Sequence, residues 1–299
     1  MYQQGITPSI KELLALRYYA SKIDLFNRKK VNQVKSGSNL SHARGRGMDF
    51  EEVRAYQPYD DIRLIHWSLT ARLGKPYTKI YKEERERAVY LIIDQSQSMK
   101  FGTKVCFKNV LAAKLAAIFG FATLNCNDQI GGVIFNNHNS EFIKPNRSRK
   151  SLLQILNILS NNSAIKSNNG GLDSTLKFML QRAQTGSTLV VISDFYNFSN
   201  DTLTYLKLLA QKYQVINILV YDPLEEKLPG NGQFNFSDNG KRFLQINWGK
   251  KTNELYAKDF SEKIERLETI SRKNNMQFIK IATNDDIVKK INYSLRGIK

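Results

Sequence analysis

The stretch Ala88-Val-Tyr-Leu-Ile-Ile-Asp94-Gln-Ser96-Gln-Ser98 decides the fold. Val89 to Ile93 are uninterruptedly apolar and rich in β-branched and aromatic side chains. That is the pattern of a strand buried on both faces of a parallel sheet. The run stops at a carboxylate, followed by two hydroxyls at alternate positions. In open α/β sheets ligands bind beyond the carboxyl ends of the strands, where these three side chains would lie. Their hard oxygens suit Mg²⁺ or Mn²⁺, which prefer octahedral oxygen ligation and retain several waters. They equally suit a strand end whose Asp and serines cap the next turn. The pentad alone leaves both readings open.

Downstream, strand and helix patterns alternate. Helices are predicted over 104–126, 149–160, 172–184, 200–212, 253–274 and 285–295, and strands over 130–135, 188–193, 215–221 and 277–282. Residues 222–241 are rich in Pro, Gly and Asn, with a hairpin expected near 242–248. Such alternation over some 200 residues predicts an α/β fold, a doubly wound and mostly parallel sheet flanked by helices, of Rossmann type. The strand Leu189-Val-Val-Ile-Ser-Asp194 also ends in a carboxylate, so Asp94 and Asp194 can share one sheet edge. Between them Gly170-Gly171-Leu172-Asp173-Ser174-Thr175 enters a helix through a glycine pair and offers further oxygens.

Upstream, residues 9–26 read as an amphipathic helix packed by one face, and 27–48 as a long polar loop. In residues 45–87 charges and aromatics interleave: Asp49, Arg54, Tyr56, Asp60, Asp61, Arg63, Trp67 and Arg72. A half-buried ion-pair network walled by Trp67 and Tyr56 accounts for them. It would serve either to clamp the segment to the main domain or to bind a partner. Residues 76–81 alternate as an exposed strand. The expected organisation is a smaller N-terminal helix and β segment, 1–87, followed by the main domain, 88–299.

The chain has 299 residues and is 41% hydrophobic, enough for a sizeable core. No apolar stretch approaches the roughly 18–20 residues that span a bilayer, and residues 1–11 lack a signal-peptide pattern. Cys106 and Cys126 fall on one predicted helix, too far apart to bridge. A cytoplasmic, reduced location is expected. The balance of 45 Lys+Arg against 27 Asp+Glu, formally +18, favours an anionic partner: nucleic acid, the inner face of a membrane or an acidic protein. No zinc-finger spacing or RNA-binding signature singles out nucleic acid. A basic binder of nucleic acid or of an anionic membrane surface is the alternative functional reading.

The Asp-x-Ser-x-Ser loop, the Gly-Gly helix entry and the Ile-Ser-Asp strand end resemble a von Willebrand factor A domain with its metal-ion-dependent adhesion site. The resemblance implies that Asp94, Ser96 and Ser98 contact a Mg²⁺ or Mn²⁺ ion. It implies that the Gly-Gly loop, here with Asp173, contributes, and that Asp194 acts through water. The upstream segment, Gly47-Met-Asp49-Phe, Arg54-x-Tyr56, Asp60-Asp61-x-Arg63, Trp67, Ala71-Arg72 and Glu83-Glu-Arg85, is similar to the bacterial family known as domain of unknown function 58. Its members are associated with MoxR-type AAA+ ATPases as non-catalytic adaptors in assembly of protein complexes. This chain departs from the pattern at Leu172, where the resemblance calls for a metal-binding Thr. It departs again at Tyr59, in place of a Gly, and at His66, in place of an Asp.

Catalytic readings find little support. The position two residues after Asp94, where a phosphoryl-transfer Asp pair would put its second carboxylate, is Ser96. No phosphate-binding Gly-rich loop ending in Lys-Ser/Thr and no His-Glu-x-x-His occurs. His42, His66 and His138 are scattered, without zinc spacing, and none is placed to activate Ser96 or Ser98. The expectation is a protein without enzymatic activity or small-molecule substrate.

Overall fold

The computed structural model describes residues 5–21, 48–83, 87–161, 170–227, 232–238, 242–248 and 250–296. They form two units, one of residues 5–21 with 87–296, the other of residues 48–83.

The larger unit begins with two short helices, α1 (Ile10–Ala15) and α2 (Arg17–Ala20). The expected helix ran to residue 26; its last part lies outside the described residues. The N-terminal helices group with the larger unit and not with residues 48–83, because Leu13 and Ala20 are buried in the larger unit's core beside the later central helix.

The smaller unit pairs β1 (Met48–Ala55) antiparallel with β2 (Tyr77–Glu83), with α3 (Trp67–Leu73) between them in sequence. The sequence shows β2 but hides β1. A bulge between Phe50 and Glu52 breaks the two-residue alternation by which a strand is recognised.

In the larger unit β3 (Ala88–Asp94) is central. There follow α4 (Lys108–Asn125), β4 (Gln129–Phe135), β5 (Ser140–Asn146), α5 (Arg149–Asn161), α6 (Leu172–Arg182), β6 (Thr188–Ser193), α7 (Asn200–Lys212), β7 (Gln214–Tyr221) and α8 (Pro223–Glu226). A hairpin, β8 (Gly232–Asp238) with β9 (Arg242–Trp248), precedes α9 (Lys250–Lys273), β10 (Gln277–Ala282) and α10 (Ile287–Arg296). The sheet order is β10-β7-β6-β3-β4-β5, parallel except for β5. This is the doubly wound architecture expected from the strand–helix alternation. The antiparallel edge strand was not anticipated, since Phe142 and Ile143 are adjacent and Pro145 interrupts the pattern. Pro is tolerated there because an edge strand leaves some N–H groups unpaired.

β3 is buried along its whole length. Val89, Leu91 and Ile93 face one core with α4, α5 and α1, while Tyr90 and Ile92 face the other with α6, α7 and α9. α4 is apolar all round because the sheet lies on one side and α1, α2 and α5 on the other. Gly132 of β4 has no room for a side chain: a Cβ there would meet the Leu91 carbonyl oxygen at 2.1 Å. α4 starts at Lys108, so Cys106 precedes it and Cys126 caps it; neither is in a disulfide.

Candidate metal centre

The order of the sheet reverses between β3 and β6. In open α/β sheets the crevice at such a switch point, beyond the strand carboxyl ends, is where ligands bind. Asp94 ends β3, Ser193 ends β6, and the register pairs Ile93 with Ile192. The two carboxylates a hundred residues apart are thereby brought to one edge. They line a cavity of about 30 Å³ with Ser96, Ser98, Asn137, Leu172 and Tyr196. About 10–15 Å³ suffices for one water, so an ion fits.

Asp94 is 4% exposed. Its Oδ1 accepts from the Ser96 N–H at 2.8 Å and its Oδ2 from Ser193 Oγ at 2.6 Å. Burial, reinforced by the negative charge of Asp194, pushes its carboxyl up to about 6. Each oxygen keeps a lone pair, and a cation beside it would relieve this cost. Ser96 Oγ and Ser98 Oγ lie 3.0 Å apart. Two adjacent corners of an octahedron with oxygens at about 2.1 Å are separated by about 3 Å. Asp94, Ser96 and Ser98 thus form a donor set that fits Mg²⁺ or Mn²⁺.

The glycine pair forms one wall. Gly170 N–H donates to the His138 carbonyl and Gly171 N–H to that of Asn136, with no space at Gly170 for a Cβ. Gly171, at φ 87°, then starts α6. Leu172 lines the cavity where a hydroxyl was expected. Asp173 is not brought to it. Its Oδ2 accepts from Ser199 Oγ at 2.8 Å and its Oδ1 from Thr202 Oγ1, tying α6 to the capping box that opens α7. Ser174 and Thr175 also turn inward, their hydroxyls bonded to the Gly170 and Gly171 carbonyls. None of the three replaces the missing ligand.

Asp194 has partners of its own. Its Oδ2 lies 2.7 Å from Lys108 Nζ, its Oδ1 accepts from the Tyr196 N–H at 3.0 Å, and its carbonyl accepts from Lys263 Nζ at 2.6 Å. Phe195 takes the left-handed conformation, at φ 48°, to make this turn. Lys108 Nζ also meets Glu225 Oε1 at 2.6 Å. Burial works to lower the Lys108 ammonium, but the two carboxylates outweigh it and leave the group above its usual value. Burial lowers that of Lys263, against the pull of Asp194 and Glu225.

In the smaller unit Arg54 and Asp60 form an ion pair at 2.6 Å, and Asp60 Oδ2 accepts from the Gln57 N–H. Among the described residues the wider network does not form. Asp61 caps the short turn Ile62–Leu64 through the Arg63 N–H, and among the described residues Arg63 and Arg72 have no ion-pair partner. His66 fills the position of the expected Asp by capping α3, its Nδ1 accepting from the Leu69 N–H. Trp67 is 65% exposed and Tyr56 half-buried, so Trp67 walls nothing in. Asp49 lies opposite Lys82 in the β1–β2 ladder; its side chain is outside the described ones.

Residues 52–266 match the family described as Protein of unknown function DUF58. The chain belongs to the DUF58 family. It is 28% identical over 217 residues to the Uncharacterized protein Rv1480 of Mycobacterium tuberculosis (strain ATCC 25618 / H37Rv), covering 72% of this chain and 68% of that one. Among solved structures it is similar to an aerotolerance-related membrane protein from Bacteroides fragilis NCTC 9343, at 18% identity and a TM-score of 0.45 over 71% of this chain and all of that one. It is also similar to a von Willebrand factor type A structure from Catenulispora acidiphila, at 12% identity and a TM-score of 0.35 over 73% and 44% of the two chains. Among the described residues of this DUF58 protein, no helix is long and apolar enough to cross a membrane.

Sequence reasoning overlooked Lys108, which is 1% exposed in the first turn of α4. A signal was there. A lysine at the amino end of an otherwise apolar helix opposes the helix dipole, so a buried carboxylate must hold it. Asp222 was also missed. It accepts from Thr103, Thr283 and the Leu224 N–H, drawing together the loops after β3, β7 and β10 on the same carboxyl edge of the sheet.

Proposed function

We propose that this DUF58 protein is a non-catalytic protein-interaction adaptor whose contact centre is the Asp94 edge of the sheet. The observation that carries the reading is the Ser96–Ser98 hydroxyl pair at octahedral spacing beside a buried carboxylate, in a cavity open to partners through exposed Tyr196. In it Asp94, Ser96 and Ser98 hold Mg²⁺ or Mn²⁺, with Asp194 opposite. The bound ion supplies a charge that draws an acidic group of the partner. The partner is a MoxR-type AAA+ ATPase acting on other protein complexes, as the family resemblance implies. A second contact surface in the smaller unit is supported by the exposed apolar side chains Tyr59, Ile62, Trp67 and Leu73.

The reading is non-catalytic because Ser96 and Ser98 bond each other, Ser193 is buried and held between Asp94 and the Phe195 N–H, and among the described residues no histidine or lysine lines the cavity to act as a base. The test is capture of a MoxR-type ATPase by the full chain in Mg²⁺ or Mn²⁺, with EDTA and with Asp94→Ala as controls. Capture lost in both controls supports the reading; capture indifferent to both overturns it. The +18 charge favours a second reading, electrostatic binding to nucleic acid or to an anionic membrane. That binding would fall steeply with salt and ignore Asp94→Ala.

A further inference from the structure

A charge balance is built into the edge that the proposed metal would occupy. Asp194 lines the cavity, yet its Oδ2 is taken by the Lys108 ammonium, which is itself almost fully buried. The same ammonium reaches Glu225 at the start of α8. Lys108 is held in place from several sides. It sits at the first position of α4, its N–H bonds to the Phe101 carbonyl, and its Nζ lies 6.0 Å from the Phe101 ring centroid. The two carboxylates hold the ammonium in the interior. A divalent ion entering beside Asp94 meets an Asp194 carboxylate whose Oδ2 is already paired with a buried positive charge.

We propose that Lys108 sets the cation affinity of the Asp94 site: its ammonium masks Asp194, so that the edge stays folded without metal and binds it weakly. This inference rests on the metal reading of the site. It accounts for two features together. A buried carboxylate pair would otherwise repel across the switch point, and a buried lysine at a helix amino terminus would otherwise be unfavourable.

The experiment is titration calorimetry of the full chain with Mn²⁺, in wild type, Lys108→Met, Lys108→Arg, Asp194→Asn and the Lys108→Met/Asp194→Asn pair. Unmasking Asp194 in Lys108→Met is expected to tighten Mn²⁺ binding about tenfold or more, because an uncompensated carboxylate faces the ion at low dielectric. Lys108→Arg should stay near wild type. Asp194→Asn, nearly isosteric, leaves the ammonium beside the site with Glu225 as its remaining partner, so it should weaken Mn²⁺ binding in the wild-type background, and it should abolish the gain in the Lys108→Met background. Should Lys108→Met fail to fold with Glu225 left unpaired, Lys108→Met/Glu225→Gln takes its place. The double variant decides independently: Mn²⁺ binding that stays as tight in Lys108→Met/Asp194→Asn as in Lys108→Met shows that Asp194 is not the group the ammonium masks and overturns the proposal. Wild type binding Mn²⁺ with Lys108→Met no tighter overturns the proposal alone and leaves the metal reading standing. Absence of binding in every variant overturns both.

Discussion

Replacing Asp94 by Asn should make the protein more stable near neutral pH and no more stable in mild acid. The carboxyl is raised from 3.8 to about 6, first by burial and then by Asp194. The folded state therefore holds its proton at pH values where the unfolded chain has released it. Stability is lost as pH rises between these values and is level above about 6. The displacement corresponds to about 3 kcal/mol at pH 7. A neutral asparagine side chain carries no such cost. Its amide would face Ser193 Oγ, which already accepts the Phe195 N–H, so the variant loses about 1 kcal/mol at every pH. The difference between variant and wild type should thus move by about 2.4 kcal/mol in the variant's favour from pH 4 to pH 7. At about 2–4 °C per kcal/mol for a domain of this size, that is roughly 5–10 °C in Tm. Urea and thermal unfolding at pH 4, 5, 6 and 7 in EDTA would measure it. A difference between the two proteins that stays constant across this range would refute the reasoning. Saturating Mn²⁺ should recover part of the loss in wild type and none in the variant, which makes Asp94 a residue kept at a cost to stability.

The other expectations concern the walls of the same cavity and the sheet beneath it. Asp173→Asn should cost about 1–2 kcal/mol in urea unfolding, since it loosens the Ser199 and Thr202 ties that open α7, and should leave the Mn²⁺ affinity within twofold. A tenfold weaker Mn²⁺ site in this variant would restore Asp173 as a ligand. Leu172→Thr puts a hydroxyl on the cavity wall and should tighten Mn²⁺ binding by about tenfold, read by calorimetry, at a cost of about 1–2 kcal/mol from lost apolar burial. Gly132→Ala drives a methyl to 2.1 Å from the Leu91 carbonyl, and should destabilise by about 3 kcal/mol or more or abolish soluble expression. Soluble Gly132→Ala protein with wild-type Tm would show that β3 and β4 separate more easily than their register indicates.

Local pattern was enough for the main sheet. Strands buried on both faces must be continuously apolar, so β3, β6 and β7 could be read directly, and their alternation with amphipathic helices permits few topologies. The ends of those strands named Asp94, Ser96, Ser98 and Asp194, because parallel strands deliver their carboxyl ends to one edge whatever their separation in the chain. β1 and β5 were hidden, one by a bulge and the other by Pro145 and adjacent apolar residues, since both obscure the two-residue period. What a carboxylate does at that edge was also beyond sequence. Asp173 and Asp194 each sit at a strand or helix end beside polar neighbours, yet one holds the hydroxyls of the α7 capping box and the other faces the cavity and a buried lysine. A strand's burial is written in its own residues, whereas a carboxylate's role depends on which distant donor reaches it first, and only the packed chain decides that.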